Sequence, residues 1–241
     1  MRPVSKGKSP INGEFNQYQD AKTELVSRLG GYCSYCERKV VTLLAVEHIE
    51  PKDLKSDLEK SWDNFLLACA NCNSCKSKKP VELKEVLLPD RDNTYAAFTY
   101  QDDGEVKPSE HITQVQKQLA LKTLSLVGLD KPIQEFKDSN DQLVSLDRTS
   151  QRKEVIGEAQ VALELLARNA NADMMTAIVY MAKNSGYFSI WMKVFNEHPE
   201  MKLRFIEVFK GTKNSGCFDL NNAEPITPAP NPDNLEHGGK V

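Results

Sequence analysis

The chain has 241 residues, of which 40% are hydrophobic and 27% charged, a balance typical of a globular protein with a buried core. Its net charge is −3, so an argument for a nucleic-acid partner must come from local patches and not from the whole chain. No run approaches the ~18 consecutive apolar residues of a membrane span. The first 15 residues contain no apolar segment of a secretory signal. We therefore expect a cytoplasmic protein without a membrane partner.

The first 30 residues predict an arm followed by a short helix. Residues 1–15 are polar and rich in Pro, Gly and Lys, a composition typical of a mobile terminus. Apolar residues at helical spacing then predict a helix before Gly30 and Gly31: Tyr18, Ala21, Leu25, Val26 and Leu29.

Residues 31–84 contain two Cys-x-x-Cys pairs, Cys33 with Cys36 and Cys69 with Cys72. In an intracellular context such pairs favour metal over disulfides. Soft thiolate sulfur selects zinc or an iron–sulfur cluster, and structural Zn²⁺ is favoured because no pattern suggests electron transfer. Since protein would fill all four positions, we expect this zinc to stabilise the fold and to do no chemistry.

The chain between and after these pairs predicts the order strand, loop, strand, helix. Residues 40–49 are β-branched and apolar, which predicts a strand that Pro51 ends. After a charged loop, residues 62–67 predict a second strand or a tight return. Residues 69–79 predict the start of a helix that Pro80 ends.

Polar residues follow the same order: Glu47-His48, then Asn64, then Asn73 and Lys76. With the surrounding E-H-I-x-P, W-D-N and C-x-x-C-N-x-x-K, this stretch resembles the HNH endonuclease superfamily, over residues 32–79. The resemblance implies an α+β fold with a small zinc-stapled ββα-metal core. It also implies hydrolysis of phosphodiester bonds in nucleic acid, with DNA as the default substrate.

The residue types suit that chemistry. Phosphodiester hydrolysis needs an activated water and a cation, and His48, with an ordinary pKa of ~6.5, suits a general base at neutral pH. By resemblance, Glu47 and Asn73 are oxygen ligands of one catalytic Mg²⁺ or Mn²⁺. Asn64 completes this catalytic set by bracing the loop and orienting His48 through backbone contacts. Lys76, three residues after Asn73 on the same helix face, would contact a substrate phosphate.

Two positions depart from the common pattern of the superfamily. Glu47 replaces the more frequent Asp, and Asn73 replaces His. Both changes keep an oxygen ligand, and both argue against zinc as the catalytic ion.

The sequence of residues 85–215 predicts a mainly helical region. We expect this region to be accessory to the nuclease core or to dock a partner. Asp103-Gly104 predicts the turn of a small hairpin. Apolar residues at helical spacing then predict a helix from residue 112 to 128 and four more, at about 145–169, 171–184, 188–197 and 200–210. Residues 216–241 are Pro-rich and are expected to be disordered.

The wider pattern narrows the resemblance. The arm RPV-x-KG-x-x-P, the stretch YQDAKTELVSRLGGYCSYCER and a helical C-terminal half resemble the PtuB family, the HNH subunits of Septu-type antiphage defence systems. This implies an effector that a PtuA-like ABC-type ATPase restrains. In retron-attached systems it also implies the retron reverse transcriptase and its msDNA as partners.

Two alternatives remain open at this level. The same site would serve an RNase that acts on tRNA or other RNA. A non-catalytic zinc module that binds nucleic acid or protein is the other, and the intact Glu47, His48 and Asn73 favour the enzyme over it.

Overall fold

A short antiparallel hairpin lies at the centre of the nuclease-like segment in the computed structural model, which describes residues 1–132, 136–137, 139–144 and 147–241. Strand β1 (Ala45–His48) pairs with β2 (Phe65–Ala68), with Glu47 opposite Leu66 and His48 opposite Phe65. Because successive side chains of a strand point to opposite faces, Glu47 and His48 lie on different sides of the two-stranded ribbon that β1 and β2 form.

Each face of the hairpin packs against a different helix. Helix α1 (Lys22–Leu29) follows a 3-10 turn at Tyr18–Ala21 and packs with Val46, Phe65 and Leu67 in the smaller of two hydrophobic cores. Helix α2 (Ala70–Lys76) lies on the other face, where Leu66 and the four paired cysteines belong to the larger core. The ribbon therefore separates the metal-binding side from the α1 side.

The C-terminal half is mainly helical, as expected. Its elements are α3 (Thr94–Ala97), β3 (Phe98–Tyr100), β4 (Val106–Pro108), α4 (Gln114–Val127), β5 (Phe136–Lys137), β6 (Leu143–Val144), α5 (Arg148–Arg168), α6 (Ala172–Ser185), α7 (Phe188–Val194) and α8 (Pro199–Val208). β3 and β4 form the predicted hairpin, in whose turn Gly104 has φ +81°. The predicted start of α5, at residue 145, lies outside the described residues. The mixed α+β class is confirmed, and no helix among the described residues is long and apolar enough to cross a membrane.

The first strand is shorter than the sequence predicts. Residues 40–44 form a loop instead of the first half of the strand, and Val41 and Leu43 are 87% and 83% exposed. The reason lies in the partner strand. β2 has only four residues, all of which pair with residues 45–48, so residues 40–44 have no strand partner in this sheet. β-Propensity does not make a strand where no ladder is available.

The first six residues of the N-terminal arm are buried and packed, contrary to the expected mobile terminus. Arg2 donates hydrogen bonds to the carbonyl oxygens of Leu29 (2.8 Å) and Lys210 and to the hydroxyl of Thr212 (2.7 Å). The Met1 ammonium lies 2.9 Å from Glu37 Oε1, and both groups are buried. Specific long-range partners for these charged groups replace the water that a polar arm would otherwise need.

The Pro-rich tail is likewise built into the molecule, contrary to the expected disorder. The Asn93 side chain donates hydrogen bonds to the carbonyl oxygens of Cys217 (2.9 Å) and Ile226 (2.8 Å), and the Ala229 amide donates to Val241 (2.7 Å). Proline removes backbone donors but leaves carbonyl acceptors, and here a buried amide side chain supplies the donors. The larger core includes Met1, the four paired cysteines, residues of the C-terminal helices and Val241, so residues from all four predicted segments pack in one hydrophobic core.

Candidate active site and metal centre

The four paired cysteines come together in one buried cluster. The Sγ atoms of Cys33, Cys36, Cys69 and Cys72 all lie within 4.8 Å of one another, and the Sγ atoms of Cys36 and Cys69 are 3.7 Å apart. Zn–S bonds of about 2.3 Å in a tetrahedron place the sulfurs about 3.8 Å apart. The donor set and its spacing therefore fit a tetrahedral zinc ion.

Local backbone structure sets each pair. The Cys33 amide donates to Arg38 O (2.9 Å) and the Glu37 amide to Cys33 O (2.9 Å), with Glu37 at φ +64°, which folds the first pair into a tight knuckle. Cys69 is the N-cap of α2, so Cys72 lies in the first turn of that helix. Hydrogen bonds from the other three thiols lower the pKa of Cys69.

An arginine distant in sequence completes the metal centre. Arg148 Nη1, at the start of α5, donates to Cys72 Sγ (3.2 Å) and to Val127 O (3.0 Å). Its positive charge offsets the negative charge of the thiolates. The sequence pattern misses this residue because 76 positions separate it from Cys72 and nothing local marks it.

His48 is held by a main-chain acceptor. Its Nε2 lies 2.9 Å from Glu59 O, and its ring packs edge-on against Tyr18 (4.7 Å between centroids) and Phe65 (5.3 Å). A carbonyl oxygen only accepts, so Nε2 carries the hydrogen and Nδ1 keeps the lone pair of the neutral ring. Partial burial lowers the pKa of His48 from its ordinary 6.5, so the ring is neutral at pH 7.

Asn64 stabilises the loop whose Glu59 carbonyl oxygen contacts His48. Its Oδ1 accepts from the Glu50 amide (2.8 Å), while its Nδ2 donates to Glu50 O (2.9 Å) and Leu58 O (3.2 Å). These contacts tie both ends of the segment 50–58 to a buried side chain, next to Glu59. Asn64 thus contacts Leu58 O and His48 contacts the next carbonyl, Glu59 O, so the two side chains are connected through the main chain of this loop.

Glu47 faces the opposite side of the ribbon, where it meets α2. The residue is 3% exposed, and its Oε1 lies 2.9 Å from Lys76 Nζ. That approach is poorly aligned for a hydrogen bond, so Oε1 is a buried acceptor with a charged neighbour and no aligned donor. Burial raises the pKa of Glu47, and the Lys76 ammonium opposes that shift.

Lys76 is not where the sequence places it. The residue is 1% exposed, and besides Glu47 it contacts His48, donating to its carbonyl oxygen (2.7 Å). The helical spacing from Asn73 is correct, but this part of the α2 face turns toward β1 and not toward solvent. Lys76 therefore pairs with Glu47 in this structure, and its contact with a substrate phosphate stays a prediction.

The two residues that the sequence assigns to a catalytic cation, Glu47 and Asn73, lie on neighbouring elements, β1 and α2. Oε1 of Glu47 is an oxygen without an aligned hydrogen-bond donor, and Asn73 has an exposed side chain on α2, one turn before Lys76. Within the described ranges, the four cysteines are the one group of three or more His, Cys, Asp and Glu ligand atoms. Mg²⁺ in proteins is usually bound by few protein ligands, with water at the remaining coordination positions.

Comparison with known families agrees with this geometry. The family model described as HNH endonuclease matches residues 33–79, from the first knuckle cysteine to just beyond α2. No curated protein matches the chain. The chain therefore carries an HNH endonuclease domain at residues 33–79, built around a four-cysteine cluster suited to zinc. Such a domain supports a nuclease, a hydrolase that acts on the phosphodiester bonds of nucleic acid.

Proposed function

We propose that this protein is a metal-dependent endonuclease whose general base is His48, with DNA as the default substrate. The observation that carries the proposal is the pair of contacts behind that ring: Glu59 O fixes Nε2 as the donor, and Asn64 fixes the loop. A neutral imidazole with a free Nδ1 is the form that accepts a proton from water.

Each residue has a separate task in this proposal. His48 takes the proton of the attacking water at Nδ1, and Asn64 acts as a positioning residue. Glu47 and Asn73 would hold one Mg²⁺ or Mn²⁺, which when bound neutralises charge that develops on the phosphate. Cys33, Cys36, Cys69 and Cys72 would hold a structural zinc that offers no open coordination position.

The test is His48→Ala in the zinc-loaded full-length protein. We expect cleavage of plasmid DNA with Mg²⁺ or Mn²⁺ to fall by about 100-fold or more, because general-base catalysis contributes about 10²–10⁴-fold. His111→Ala, at an exposed histidine outside the domain, is the matched control and should cleave normally. Wild-type cleavage by His48→Ala would reject the mechanism.

The same assay on total RNA and tRNA separates the substrate classes. Cleavage of RNA alone, lost in His48→Ala, would identify an RNase with the same site. If no nucleic acid is cleaved in a His48-dependent way, the result would favour the alternative that the protein is a non-catalytic zinc module.

We further propose that the nuclease is the effector of an antiphage defence complex and is restrained by a PtuA-like ABC-type ATPase. The proposal is supported by the resemblance of the arm and of residues 18–38 to the PtuB family, and by the large helical region after the domain. Co-expression with an ATPase encoded beside it should give a stable complex in size-exclusion chromatography. Complete separation of the two proteins would refute the partnership and leave the nuclease proposal intact.

A further inference from the structure

The imidazole of His48 contacts an aromatic residue that lies outside the HNH match. Tyr18 begins the 3-10 turn before α1, and it precedes the matched residues 33–79 in the chain. Its ring meets the His48 ring at an interplanar angle of 67°, with 4.7 Å between the two centroids. Edge-to-face aromatic pairs have centroids about 4.5–7 Å apart, so the two rings are in close contact.

The hydrogen bond of His48 does not by itself fix the plane of the ring. Nε2 has the carbonyl oxygen of Glu59 as its partner, at 2.9 Å. The second side-chain torsion of a histidine is broad, so the ring can turn while it keeps this one bond. Contacts on the sides of the ring are therefore needed to hold its plane, and the structure provides them through Tyr18 and Phe65.

Lys52 covers one face of the Tyr18 ring. Its Nζ lies 4.7 Å from the ring centroid, within the ~6 Å of a cation–π contact. The same ammonium lies 3.2 Å from Glu59 Oε1. Since the carbonyl oxygen of Glu59 contacts His48, each of the four residues contacts two of the others. We call these four residues, Tyr18, His48, Lys52 and Glu59, the Tyr18 cluster.

The Tyr18 cluster has little to contribute to global stability. The side chains of Lys52 and Glu59 are 39% and 38% exposed, and ion pairs this accessible to water stabilise a fold only weakly. The effect of the cluster is local, because it joins the turn before α1, the end of β1 and the loop between the strands. Substitutions in it should therefore change the orientation of the imidazole more than they change the stability of the protein.

We propose that Tyr18 is a positioning residue for the His48 imidazole, and that Lys52 supports it through the face of its ring. The inference rests on the proposed nuclease function, and it extends the working site beyond the HNH match to the turn before α1. Tyr18 acts through the imidazole by keeping Nδ1 aligned with the attacking water. A misplacement of about 1 Å in such an alignment can cost ~10²-fold in rate.

The test compares Tyr18→Phe with Tyr18→Leu in the zinc-loaded full-length protein. Phe keeps the ring, whereas Leu keeps apolar bulk against the smaller core but has no flat edge. With plasmid DNA as substrate, we expect kcat of Tyr18→Leu to fall at least about fivefold while KM stays within about twofold. Tyr18→Phe should cleave within about twofold of the wild type, because the contact needs the ring and not the hydroxyl.

Tyr180→Leu is the matched control. Tyr180 is a 59% exposed tyrosine of α6, and Lys183 Nζ lies 5.9 Å from its ring centroid, so it has the same type of lysine contact away from His48. Its replacement should leave kcat unchanged. An equal loss of kcat in Tyr180→Leu and Tyr18→Leu would overturn the positioning role.

A double-mutant cycle tests the part of Lys52. Lys52→Gln should lower kcat in the wild-type background and have no further effect in Tyr18→Leu, because both residues act through one chain of contacts. A rise in KM of equal size in both backgrounds would instead identify Lys52 as a substrate contact. That result would overturn its supporting role.

Long-range ¹H–¹⁵N NMR spectra test the contact independently of cleavage. The signal of His48 is the one that His48→Ala removes. We expect a single Nε2–H tautomer in the wild type and in Tyr18→Phe, and mixed tautomers in Tyr18→Leu. Either wild-type kcat or an unchanged His48 spectrum in Tyr18→Leu would overturn the inference. A wild-type protein without His48-dependent cleavage would reject the nuclease proposal instead, and the spectra would still show whether Tyr18 holds the ring.

Discussion

The ring of His48 makes its hydrogen bond to a main-chain carbonyl, and this partner decides how it titrates. A carboxylate partner would stabilise the imidazolium and raise the pKa. Burial dominates and lowers the pKa of His48, and the charges of Lys52 and Lys76 add to this effect. The carbonyl and the carboxylate of Glu59 oppose the shift without reversing it, so the structure favours the neutral imidazole.

Asn64→Ala tests whether that arrangement depends on the loop. The change removes three hydrogen bonds to the backbone of the loop, and we expect a loss of about 2–4 kcal/mol in unfolding free energy, at roughly 1 kcal/mol for each bond and more where a buried group is left unpaired. We also expect kcat to fall at least tenfold while KM changes little, because the base is misplaced and the substrate contacts remain.

Asn64→Asp is the informative companion to this variant. It keeps the acceptor for the Glu50 amide but places a carboxylate oxygen against the carbonyl oxygens of Glu50 and Leu58, so its kcat should be at least as low as that of Asn64→Ala. A purely structural role would instead lower stability in both variants without changing kcat in the protein that remains folded.

At this scale, sequence spacing predicts local partners and misses distant ones. The two Cys-x-x-Cys pairs fix their own geometry within four residues, so the four-cysteine cluster follows from the pattern. The partner of Lys76 depends on which way the α2 face turns against β1, and the contact of Arg148 depends on packing across 76 positions. Neither relation has a local signal.

The elements of the HNH domain are too short to be stable alone. β1 and β2 have four residues each and α2 has seven, whereas isolated helices shorter than ~12 residues are marginal in water. Cysteines flank the hairpin on both sides. A metal bound by them would therefore supply the stability that such short elements lack. The same shortness explains why the predicted strand of residues 40–49 is only half formed.

Cys36→Ser should consequently remove zinc and unfold these elements. Loss of a structural metal costs several kcal/mol, and at about 2–4 °C per kcal/mol we expect Tm to fall by more than about 10 °C. Zinc content by mass spectrometry and amide exchange in β1, β2 and α2 are the measurements. Cys75→Ser, one turn beyond Cys72 and outside the cluster, should keep both zinc and Tm. Full stability of a zinc-free Cys36→Ser protein would contradict the structural role.

Across the whole molecule, the N-terminal arm joins parts that lie far apart in sequence. Lys6 Nζ contacts Asp63 O (3.0 Å), Phe65 O (2.8 Å) and Asp90 Oδ2 (2.9 Å), and the amides of Lys6 and Gly7 donate to Asp233 in the tail. The arm therefore connects the β1–β2 hairpin with the C-terminal segment. Composition alone predicts mobility here, because it does not reveal where a lysine finds its acceptors.

Asp90→Asn tests this connection. Removing one partner of a buried ion pair costs about 3–5 kcal/mol, which urea unfolding at pH 7 should show. Asp102→Asn, at an exposed pair with Lys193, should cost less than about 1 kcal/mol. Equal losses in the two variants would show that the arm does not hold the molecule together.

The pH dependence of stability follows from the same pair. Lys6 and Arg91 lower the pKa of Asp90 from 3.8 to about 2, against the effect of burial. A depressed carboxyl pKa stabilises the fold fully above about 3.8, and this contribution is lost as pH falls toward 2. Wild type and Asp90→Asn should therefore differ most at pH 7 and converge near pH 2. A constant difference between them over that range would contradict the assignment.

Asn64 and His48 contact the loop only through its main-chain atoms. The side chains of residues 53–57 are therefore not needed to orient the His48 ring. Lineages can therefore change these positions, and an engineer can randomise them, without moving the imidazole. A library restricted to residues 53–57 should yield many active members, in contrast to one that includes Asn64.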